Sequence, residues 1–151
     1  MRNVSGQLKN SSSMETDEIK IEVYNKREKT TSTMFVKQLS DNTFRMTEND
    51  ILNCRLTYGT EFETRINSDG KHEIIRIIKD SGFLTRRFFL PSKYKEPDYR
   101  ILGDEIIRHG GFWQVDFGGI ATINLPKDCE LDLDEIFKFF DFKPTEIVND
   151  I

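Results

Sequence analysis

Glu61-Phe62-Glu63-Thr64-Arg65-Ile66-Asn67-Ser68-Asp69-Gly70-Lys71-His72-Glu73-Ile74-Ile75-Arg76-Ile77-Ile78 reads as two strands joined by a tight turn. Asn67 to Gly70 is a cluster of turn-forming residues, and its Asp-Gly step supplies the positive φ that a short hairpin needs. In the returning strand both alternating sets are apolar, Ile74 with Ile78 and Ile75 with Ile77. That pattern predicts a central strand covered on both faces. The fold is therefore anchored on an antiparallel hairpin.

Toward the N-terminus the period stays near two. Ile19, Ile21 and Val23 alternate with polar residues over Ile19 to Tyr24, a second strand is expected from Thr31 to Leu39, and Asp41-Asn42 turns the chain into Thr43 to Met46. Another short extended piece is expected from Leu52 to Tyr58, ahead of Gly59. Residues 1–17 are rich in Ser, Asn and Lys and offer no apolar periodicity, so they read as a disordered tail ahead of one domain, 18–151.

Toward the C-terminus the period changes. Ser81-Gly82 leads into a strand from Phe83 to Leu90 that Pro91 closes. Pro97 suits a first helical turn, Tyr99, Leu102 and Ile106 recur at helical spacing, and His109-Gly110-Gly111 stops the helix. Phe112 to Phe117 and Ile120 to Leu125 form two strands about Gly118-Gly119. A second helix starts near Asp132, with Glu135 at capping-box spacing, and ends before Pro144. The expectation is an α+β fold: antiparallel strands and hairpins followed by a β-α-β-β-α unit, its helices packed on one side of a mostly antiparallel sheet.

Composition narrows the function. The chain has 151 residues, enough to bury its own core, and twelve Phe supply much of that burial. No apolar run reaches the length of a membrane span and the opening residues lack an apolar signal core, so a cytoplasmic protein is expected. Cys54 and Cys129 are far apart and lack metal-type spacing, which predicts two inert thiols. The net charge is −4, yet from Pro126 onward eight acids stand against three bases. The remainder is close to neutral, an asymmetry that disfavours generic nucleic-acid binding and favours a basic partner at the acidic end.

A family resemblance rests on short motifs. Leu56-Thr57-Tyr58-Gly59-Thr60-Glu61-Phe62-Glu63, the hairpin, and then Ile77-Ile78-Lys79-Asp80-Ser81-Gly82-Phe83-Leu84-Thr85-Arg86 resemble the core of a small bacterial family, domain of unknown function 4265. The likeness spans about Ile19 to Phe142, with Thr60 where that family more often has Asp. It implies a fold unit with no established activity, and it implies immunity-type roles for some members.

Chemistry is sparse. His72 beside the hairpin and His109 at a helix end have no neighbouring nucleophile motif, and no paired Cys or His spacing suggests a metal. The carboxylates from Asp128 to Glu135 fail as a calcium loop because Leu133 stands where the sharp turn demands Gly. Neither glycine pair opens a helix after a strand as a phosphate cradle would. No catalytic residue, metal or cofactor is therefore assigned.

Two binding surfaces remain. Arg86, Arg87, Lys93 and Lys95 form a basic stretch for an anion or nucleic acid, although adjacent strand residues point to opposite faces, so only one Arg reaches a ligand. On the terminal helix Leu133, Ile136, Phe137 and Phe140 fill one face, leaving Phe139 and Phe142 among Asp134, Glu135 and Asp141 as an aromatic anchor in a charged rim. The sequence favours a non-enzymatic protein-binding module of immunity or regulatory type, or a homodimer using those rings. Anion binding and an enzyme with an unrecognised site are the alternatives.

Overall fold

A computed structural model describes residues 2–5, 17–51, 53–91, 96–139 and 144–148, with side chains for 17–51, 53–91, 100–138 and 144–148. In chain order the elements are β1 (Arg2–Ser5), β2 (Glu18–Asn25), β3 (Thr30–Gln38), β4 (Thr43–Met46), β5 (Glu61–Ile66), β6 (His72–Lys79), β7 (Phe83–Phe89), α1 (Glu96–Arg108), β8 (Phe112–Asp116), β9 (Ile120–Pro126), α2 (Leu133–Phe139) and β10 (Thr145–Glu146). Antiparallel β-structure predominates and two helices accompany it, a composition in keeping with an α+β class. Where one domain is expected, the chain divides into two compact units, Asn10–Gly82 and Met1–Lys9 with Phe83–Ile151. The division falls at Gly82, inside the short Ser81-Gly82 turn, so no linker marks it in the sequence.

The first unit is a closed five-stranded barrel in the order β2-β3-β4-β5-β6. Sequential neighbours pair antiparallel, and the ring closes where β6 meets β2 in parallel at one registered pair, Val23 with His72. Alternation decides what faces inward: Ile21 and Val23, Met34 and Val36, Phe44 and Met46, and Phe62 are all buried in one cluster, with Ile74 and Ile77 packed against it. The hairpin turn is held by Asn67, whose Oδ1 accepts from the Asp69 and Lys71 amides at 2.9 and 3.0 Å. Gly70 supplies the left-handed residue at φ +77°.

β6 departs from its expected place as a strand covered on both faces. Two register shifts separate it from β5: Glu61 pairs with Lys79 but Phe62 with Ile77, and Glu63 pairs with Arg76 but Thr64 with Ile74. Each shift drops one isoleucine, Ile78 and then Ile75, out of the ladder, and these are 47 % and 48 % exposed. Bulges convert a period of two into a period of three, so a strand with two apolar sets need not be central.

The expected extended piece at Leu52 to Tyr58 is replaced, over its described residues, by turns. This loop closes one end of β4 and β5. Met46 N donates to Thr60 O at 2.8 Å, Gly59 N to Met46 O at 3.0 Å, and Tyr58 N to Asn49 Oδ1 at 2.9 Å, while Leu56 is buried in the barrel core. The loop folds back on itself because Asn49 and Thr60 satisfy its backbone locally, which a ladder would otherwise do.

The second unit is an antiparallel sheet in the order β1-β8-β9-β7-β10. Part of the expected tail belongs to it, since Arg2–Ser5 pairs with Asp116 through Trp113 of β8. A strand can join through backbone groups alone, so four residues with a single apolar side chain, Val4, give no warning of it. Trp113, Val115, Ala121, Ile123, Leu125 and Phe88 form one core cluster with Leu102 and Ile106 of α1 and Leu133 and Phe137 of α2. α1 approaches β8 closely at Gly103, where a Cβ would stand 2.3 Å from the Trp113 ring. Asp132 caps α2, its Oδ1 accepting from the Asp134 and Glu135 amides at 3.0 and 3.3 Å.

Candidate functional site: a groove beside β7

β7 carries three residues on the side of the sheet that holds this core, Leu84, Arg86 and Phe88, in register with Leu125, Ile123 and Ala121 of β9. Their fates differ along the strand. Phe88 is buried edge-on against Phe137, ring centroids 5.0 Å apart. Arg86 lies over the Phe88 ring at 5.1 Å and spends its fork on carboxylates. Nε donates to Glu146 Oε2 at 3.0 Å, and Nη2 to Glu146 Oε1 at 2.9 Å and to Asp134 Oδ1 at 3.3 Å. Leu84, next along, is 57 % exposed.

The result is a groove of about 240 Å³ in this unit. Leu84, Ile123, Leu125 and Leu131 give it apolar walls, with Cys129 in its lining and Arg86 and Asp132 as its polar borders. The segment between β9 and α2 shapes it: Cys129 N donates to Pro126 O at 3.0 Å and Leu131 N to Cys129 Sγ at 3.4 Å, which turns both side chains toward the cavity. Asp128, Glu130, Asp132, Asp134 and Glu135 are exposed along the same segment, and Lys127 and Lys138 are the bases within it. The bidentate contact of Arg86 holds the Glu146 carboxyl below its usual range, and the Glu146 hydrogen bonds in turn raise the Arg86 guanidinium further above its own.

The two expected surfaces meet here in part. Arg86, read as an anion ligand, pairs with Asp134, read as part of a partner surface. Arg86 is thus engaged by two carboxylates, an arrangement closer to a structural clamp than to an open anion site. Arg87 lies on the opposite face and is buried, so the two guanidinium groups form no common patch. Glu135 is exposed and pairs with Lys138 at 3.4 Å. Phe139 ends α2, but its side chain, like Asp141, Phe142, Lys93 and Lys95, lies outside the described residues.

Sequence reasoning missed the other face of this sheet. Arg87, Gln114, Asp116, Thr122 and Asn124 are all buried there, with Gln114 Nε2 donating to Asp116 Oδ2 at 2.9 Å and Asn124 Nδ2 to Thr85 Oγ1 at 2.8 Å. Alternating polar residues normally mark a solvated face, so only their clustering on adjacent strands could have signalled a buried network.

His72 accepts or donates at Nδ1 to Thr64 Oγ1 at 2.8 Å and stands edge-on to Phe44, and burial lowers its pKa. His109 contacts Glu105 O at 2.8 Å at the end of α1. Cys54 and Cys129 are free thiols. Among the described residues no group of three His, Cys, Asp or Glu side chains could hold a metal ion, and no helix is long and apolar enough to cross a membrane.

No protein-family model and no curated protein matches the chain. Among solved structures, a hypothetical protein from Neisseria gonorrhoeae has a similar fold, with a TM-score of 0.52 over 85 % of this chain and 88 % of that one. At 16 % identity the likeness shows the fold alone.

Proposed function

We propose that this protein is a non-enzymatic binding module whose groove beside β7 receives an apolar side chain from a basic segment of another protein, in an immunity-type or regulatory role. The observation that carries the reading is Leu84, a large apolar side chain left 57 % exposed over an apolar groove that Asp132 borders, beside a segment whose other carboxylates are exposed. An apolar centre with a charged border is the anatomy of a protein interface. A net negative rim selects a basic partner and speeds its approach. The reading of residues 83–139 as one β-α-β-β-α unit, with both helices on the groove side, belongs to this proposal.

A photo-crosslinking residue placed at position 84 in the expressing cell tests it. Capture of a protein through a lysine- or arginine-rich segment is expected, and the pair Asp128→Lys with Glu130→Lys is expected to abolish it. These two side chains are exposed between the groove-lining residues, so the fold should be unaffected. Capture that ignores both charge reversals contradicts the reading.

A further inference from the structure

β7 has a neighbouring strand along its whole length on one side and along only part of it on the other. Phe83 to Phe89 registers with β9 without a shift, from Pro126 to Ile120. On the opposite side β10 pairs with Phe88 and Phe89, and Ile147 N extends the contact by donating to Arg87 O at 2.8 Å. Beyond that point no strand registers on this side of β7 among the described residues. Backbone groups of an antiparallel strand face its two neighbours in alternation. Leu90 N donates to Gly119 O, so Phe88, Arg86 and Leu84 turn theirs toward β9, while Arg87, Thr85 and Phe83 turn theirs toward the β10 side. The N–H and C=O of Thr85 therefore face an edge that no described strand occupies, next to Leu84, whose side chain lines the groove.

We infer that the basic segment received by the groove binds as an added strand, antiparallel to β7 and in line with β10, its backbone paired with that of Thr85. The inference rests on the groove reading and deepens it by giving the partner a conformation and a register. Strand edges are ordinarily blunted by charge, proline or a bulge. Phe83-Leu84-Thr85 carries none of these. Such an edge is a template for an extended peptide, whose backbone supplies affinity and whose alternate side chains supply specificity. The partner residue opposite Leu84 shares its face and enters the groove, while its own amide points away from β7. The residues before and after it turn their amides toward β7 and their side chains to the other face of the sheet. Asp128 and Glu130, exposed along the segment that shapes the groove, make a basic segment the complementary occupant. A helical segment would bring no backbone partner to Thr85, because its own backbone groups are bonded internally.

Amide hydrogen exchange on the full chain, free and with a short peptide of alternating lysine and leucine, tests the inference. In the free chain Thr85 is expected to exchange about tenfold faster than Arg86 or more, and with the peptide to slow by about tenfold or more. With leucine in the groove the lysine amides face β7. Peptide N-methylated at its lysine amides is therefore expected to bind about tenfold more weakly, and peptide N-methylated at its leucine amides to bind as the parent does. Binding that Leu84→Asp abolishes but that leaves Thr85 exchange unchanged, or that tolerates methylation at lysine, overturns the added strand while the groove reading stands. A peptide that does not bind at all overturns both. A Thr85 amide protected in the free chain at every concentration would place the chain's own residues on the edge, and one protected only at high concentration a second copy. Either result overturns the inference.

Discussion

Phe117 holds a backbone conformation that few residues of its kind adopt. Its φ is +53°, next to Gly118 at +72°, and the pair makes a left-handed turn closed by Gly119 N donating to Asp116 O at 3.1 Å. The sequence places this turn one residue later, on Gly118-Gly119. The register explains the shift, because Trp113 and Val115 must share a face with Ile123 and Ala121, which pairs Asp116 with Ile120 and leaves Phe117 in the turn. Its ring is 70 % exposed and packing recovers little, so the left-handed backbone is a net cost of about 1 kcal/mol. Phe117→Asn is expected to raise the unfolding free energy by about that amount in urea titration, since Asn tolerates this conformation. A loss of stability would show that the ring has a structural contact that its exposure conceals. Leu84 was equally illegible: its alternation with Arg86 and Phe88 is visible in sequence, but where α2 stops covering the strand is not.

At the scale of elements, β4 and β5 are found at their expected bounds, and β2, β3, β6, α1 and α2 within a few residues of theirs. Those segments declare themselves by local period and by turn residues such as Asn67 and Gly70. What local pattern cannot express is pairing between distant strands. The closure of the barrel by Val23 and His72 is such a case, and so are the two bulges, which depend on how β6 fits β5. His72 at this closure gives the barrel a pH dependence. Its pKa is lowered by burial, so the folded state favours the neutral ring. The unfolded chain then binds a proton more readily, and stability is present in full above the unfolded value of 6.5 and declines as the pH falls through it toward the lower folded value. Thermal melting at pH 7.5 and 5 should therefore show a larger drop for wild type than for His72→Gln, with every other titrating group common to both. Equal drops would mean that His72 is as readily protonated in the barrel as in the unfolded chain.

For the molecule as a whole, the sequence conveys strand-rich α+β content but not its division into two units, because no composition change marks Gly82. The charge asymmetry was legible and acquires a location. Asp132 borders an apolar groove, the other carboxylates from Asp128 to Glu135 are exposed along the segment that shapes it, and Arg86 contacts two more elements, α2 and β10, through Asp134 and Glu146. The central claim is that this groove takes an apolar side chain flanked by positive charge. Backbone-amide NMR during titration of the full chain with a short peptide of alternating lysine and leucine tests that claim most directly. The account expects saturable shifts at Leu84, Ile123, Leu125 and Leu131, abolished by Leu84→Asp. Shifts spread evenly over the acidic surface and unchanged by Leu84→Asp would contradict it.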